Sequence, residues 1–67
     1  MDFSNAELLE AKRQIDSTLH KLREVIRTLE GKDVPERYRS QITLAKRRVK
    51  AFEIADKLIE HELEREG

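Results

Sequence analysis

The chain has 67 residues, of which 14 are basic and 14 acidic, so 42% of it is charged while the formal net charge is zero. That balance excludes a uniformly basic nucleic-acid binder. The lack of Cys excludes disulfides and thiolate metal sites, and no apolar run approaches the roughly 20 residues that span a bilayer. Met1-Asp2-Phe3-Ser4 lacks the basic and apolar regions of a signal peptide, so one cytoplasmic domain over residues 1–67 is expected.

The first predicted element is a helix over about residues 5–30. Ser4 is placed to cap it, Glu7 three residues on completes a capping box, and Phe3 can staple onto Leu8 across the first turn. Leu8, Ile15, Leu22 and Leu29 recur at heptad position d, and Leu19 and Ile26 fall at position a together with Lys12. Leu9, Ala11 and Val25 widen this stripe. At 1.5 Å per residue such a helix is about 39 Å long.

A short connection, about residues 31–34, follows. Glu30-Gly31-Lys32-Asp33-Val34-Pro35-Glu36 holds the only interior Gly and Pro of the chain. Gly31 suits a left-handed residue closing the first helix, while Asp33, Pro35 and Glu36 suit the capped start of the next. Three or four residues between two long helices force the chain to turn back on itself, giving an antiparallel two-helix hairpin folded about Lys32.

The second predicted helix covers about residues 35–65. Tyr38, Ala45, Phe52 and Ile59 form its d row, and Ile42, Val49, Asp56 and Leu63 its a row. A further apolar row lies beside them, with Leu44, Ala51 and Leu58 at one heptad position and Ile54 and Ala55 close by. Steps of 100° per residue spread the apolar arc over roughly 160°, wider than the seam of a two-stranded coil. One partner helix leaves part of that arc bare. A core of this size also rarely supplies more than about 3–5 kcal/mol. The expected fold is therefore an all-α hairpin that dimerises into a four-helix bundle, with Leu44, Ala51, Phe52, Ile54, Ala55 and Leu58 at the interface. A different protein partner docking on the same face is the other use of that arc.

Charge is sorted along the hairpin. Residues 21–50 carry ten bases against four acids, and the remaining residues carry ten acids against four bases. Turning one copy end for end would set each basic half against an acidic half. The basic group Arg37, Arg39, Lys46, Arg47, Arg48 and Lys50 also suggests a second function, an RNA- or DNA-binding dimer. Tyr38 is the one aromatic near it, and the six spread over several heptad positions, so the protein-interaction reading leads.

Lys12 and Asp56 are the two ionisable residues in otherwise apolar rows. They are expected to form a buried polar pair that fixes register, such that removing one partner strands the other. His20 and His61 fall on outer positions without ligand spacing, Ser17, Thr18 and Thr28 have no adjacent base, and there is no Gly-rich loop. No catalytic residue, metal site, cofactor or membrane contact is expected.

Overall fold

In a computed structural model, the chain is described over residues 3–32 and 35–66, and it forms an all-α hairpin. Helix α1 runs Asn5–Glu30, a 3-10 turn spans Pro35–Tyr38, and helix α2 runs Arg39–Glu66. The start of α1 follows from its sequence. Ser4 Oγ accepts from the Glu7 backbone N–H at 3.1 Å, and Glu7 Oε1 accepts from the Ser4 N–H at 3.0 Å. That reciprocal box, worth about 1 kcal/mol for the cap itself, satisfies two of the donors a helix start leaves open.

The end of α1 departs from expectation. Gly31 sits at φ −83° and ψ −1°, in the right-handed region, and not in the left-handed conformation its position suggested. The helix closes by tightening instead. Gly31 N–H still donates to the Arg27 carbonyl at 3.2 Å, and Lys32 N–H donates to the Leu29 carbonyl at 3.2 Å, a three-residue span. The Arg27 and Leu29 carbonyls are satisfied this way without a reversed residue at Gly31. The proposed Asp33 cap of the second helix lies outside the described residues.

Pro35 opens a 3-10 turn before α2 proper begins. The half-buried Tyr38 closes that turn and belongs to the apolar d row. This extra turn moves the point about which the helices pair. Glu30 meets Lys46 and Arg23 meets Glu53, pairs that both lie symmetrically about Tyr38, and Lys12 meets Glu60 symmetrically about Glu36. Lys12 also meets Asp56, symmetrically about residue 34, so the hairpin is folded two to six residues beyond Lys32, because periodicity fixes which face a residue occupies but not how many residues the turn consumes.

The two helices pack along the expected rows. Among the described residues Leu8, Leu19 and Ala45 are the buried apolar ones, and Ile15, Leu22, Ile26 and Leu29 of α1 and Ile42, Val49, Phe52, Ile59 and Leu63 of α2 are half-buried. No large side chain among the described residues is fully enclosed. Two helices cover each other on one side only, so the seam is a strip and not a core. The molecule is a rod of 48 × 15 × 14 Å with a radius of gyration of 15.2 Å. A globular chain of this length would have a radius of about 11 Å.

Candidate interaction surfaces and a partly buried ion cluster

The outer row of α2 is bare. Leu44, Ile54 and Leu58 are 46%, 51% and 67% exposed, and Ala51 between them is exposed too. Phe52 and Ala55, expected at the same interface, are half-buried; Phe52 shares the inward face with Ala45 and Ile59. The expected surface therefore splits into an outer row of four residues and an inner pair.

That row runs toward an apolar groove at the open end of the hairpin. Phe3, Leu8, Leu58 and Ile59 line it, and it continues along α1 past Ala6 and Ala11. Phe3 is 53% exposed, so the expected staple onto Leu8 covers one side of the ring only. The rim is acidic, with Glu7, Glu10 and Glu62. Sequence pattern did not reveal this groove, because it joins residues from opposite ends of the chain.

The basic group is exposed throughout, at Arg37, Arg39, Lys46, Arg47, Arg48 and Lys50. Among the described residues Lys46 alone of the six has a carboxylate within salt-bridge distance, Glu30 at 3.0 Å. Arg39, Lys46 and Lys50 lie within about 40° of one another around α2, whereas Arg48 lies about 160° from Lys46. No single face carries all six.

Lys12 and Asp56 do meet, but as part of a larger cluster. Lys12 Nζ lies 2.9 Å from Asp16 Oδ2, 3.5 Å from Glu60 Oε2 and 3.6 Å from Asp56 Oδ2. The Asp16 hydrogen bond comes first among the causes that raise the Lys12 ammonium above its ordinary range. Asp56 is 9% exposed, and its Oδ1 has no hydrogen-bond donor. Burial first, and then Asp16, push the Asp56 carboxyl up, while Asp16 is held down by Asp56 and Lys12.

The expected two-member pair is thus one ammonium among three carboxylates. Removing Asp56 leaves Lys12 with Asp16 and Glu60, so it does not strand an ammonium as the simple pair implied. The missed members carry a readable signal. Lys12–Asp16 and Asp56–Glu60 are both spaced i,i+4, which puts them on one face of their helices. Arg23–Glu53, at 2.8 Å, and Lys46–Glu30 also tie the two helices together. These are exposed and each is worth about 0.2–1 kcal/mol.

Among the described residues no three His, Asp or Glu side chains come together as a metal would require, and no helix is long and apolar enough to cross a membrane. No protein-family model, curated protein or solved structure matches the chain.

Proposed function

We propose that this is a small cytoplasmic interaction protein whose hairpin is completed by a second copy of itself, the outer row of α2 packing into a four-helix bundle. The observation that carries this reading is surface area. A folded monomer of 7.9 kDa exposes about 4,400 Å², whereas this hairpin exposes 5556 Å². The excess of about 1,100 Å² is close to the roughly 800 Å² each partner buries in a standard interface. Leu44, Ile54 and Leu58 supply its apolar centre.

Sedimentation equilibrium combined with circular dichroism tests this. The expected result is twice the chain mass at micromolar concentration, with helicity that falls on dilution. Leu58→Glu should shift the mass to monomer, because Leu58 is too exposed in the single hairpin for the change to harm the seam. A monomer with a cooperative melt at all concentrations would overturn the reading.

A second reading, RNA or DNA binding, is supported by the five bases that have no carboxylate partner among the described residues. If about four of them meet phosphates, log affinity should fall against log salt with a slope of about −3 to −4. Lack of binding to mixed RNA and DNA pools at low salt would dismiss it.

A further inference from the structure

Resting on the self-association reading above, we propose that the second copy docks end for end about a two-fold axis at Ala51, so that each copy's Leu44 seats beside Leu58 and the open-end groove of the other.

Two independent features of α2 share this centre. Within the exposed apolar row Leu44 and Leu58 flank Ala51 symmetrically, each seven residues away, two turns or about 10.5 Å, while Ile54 has Arg48 as its counterpart. Ala51 is the small member, and a small side chain at the crossing lets two helices approach closely. Charge reverses at the same place. Residues 37–50 carry six bases and no acid, while residues 53–66 carry six acids against Lys57 and Arg65. A two-fold axis at Ala51 therefore sets Leu44 level with Leu58 and the basic half against the acidic half in one operation.

A parallel docking keeps an apolar contact and loses the charge match. It would set Leu44 on Leu44 but also +6 on +6 over residues 37–50 of the two copies. In the end-for-end arrangement Arg39 comes level with the second copy's Glu62 and Glu64. Leu44, which leaves the Arg47 and Arg48 side of the helix, meets a groove whose rim carries Glu7, Glu10 and Glu62. Each exposed pair contributes little, yet orientation depends on their summed difference between the two dockings. Burial drives association and charge chooses its direction.

The chain has no Cys, so single-Cys variants test the geometry directly. A disulfide requires Cα atoms within about 7 Å. Ala51→Cys should cross-link to itself under mild oxidation about tenfold faster than Leu44→Cys alone, and a mixture of Leu44→Cys with Leu58→Cys should give the mixed dimer. Nitroxides attached at Lys32→Cys, away from the interface, should be separated by most of the roughly 39 Å helix length or more. Self-cross-linking of Leu44→Cys as fast as that of Ala51→Cys, or labels about 10–15 Å apart, in a species of dimer mass would overturn the orientation while sparing self-association. Monomer mass for the parent chain would remove both.

Discussion

The two faces of α2 differ in what they bury and in what they are made of. The inward face holds Ala45, Phe52, Ile59 and the buried Asp56, while the outward row holds Leu44, Ile54 and Leu58 around Ala51. The covered face, which also holds Ile42, Val49 and Leu63, is the richer in large apolar side chains, yet the bare row still carries three of them, and the buried charge lies on the covered side. A helix that contacted α1 alone would carry polar residues in that outer row. The comparison teaches that the seam sets register while the outer row holds unused burial energy.

Breaking the seam should have the largest effect. Leu19, buried at 4% exposure, should cost about 2–5 kcal/mol when changed to Ala, read from urea denaturation. An equal cost for Leu58→Ala in the monomeric state would erase the distinction between the faces.

Asp56→Asn sharpens the inner side of the comparison. The amide can donate to Asp16 and Lys12 keeps two carboxylates, so the variant should be about 1 kcal/mol more stable near pH 7. The pH dependence follows from the direction of each shift. Asp56 is raised when folded, so its stabilising contribution is complete below its unfolded value of about 3.8 and is lost as pH rises through the folded value. Asp16 is lowered, so its contribution is present above the unfolded value and lost as pH falls through the folded one. Wild type should therefore be most stable in mild acid, and the gain from Asp56→Asn should grow between about pH 4 and pH 7. Thermal melts across that range check it, and a pH-independent difference would show that folding does not raise the Asp56 carboxyl.

Gly31→Ala should stabilise by about 0.4–1 kcal/mol. Its φ of −83° suits Ala, and among the described residues an added Cβ would meet only the Arg27 and Thr28 carbonyls at 3.5 and 3.6 Å, ordinary contact distances. Destabilisation would mean the helix end needs a conformation that only Gly adopts. The smallest effect belongs to Arg23–Glu53, where a double-mutant cycle should give a coupling of about 0.2–1 kcal/mol that fades in salt.

The hairpin was legible because its signals agree. Gly and Pro occur together at one interior place, and heptad rows run out on both sides of it. The Ser4–Glu7 box was legible for a local reason, since three residues settle it. Register was not, because the turn at Pro35–Tyr38 consumes residues without changing the phase of either helix. The partners of Lys12 were half legible. Asp56 stood out in an apolar row, but Asp16 and Glu60 looked like solvated flank residues until the two helices were brought together. Gly31 misled because glycine after a helix marks a reversal only when the following N–H groups need one, and here a tightened last turn supplied the bonds.

The chain contains no Trp and a single Tyr, which places its one strong intrinsic fluorophore at the end of the 3-10 turn. Tyr38 emission therefore reports from the loop end, whereas circular dichroism averages over both helices. In a rod this thin the two signals need not change together. Tyr38 quenching that precedes loss of helicity on heating would mean the hairpin opens at its bend before its helices melt. Coincident curves would make the bend and the seam one cooperative unit.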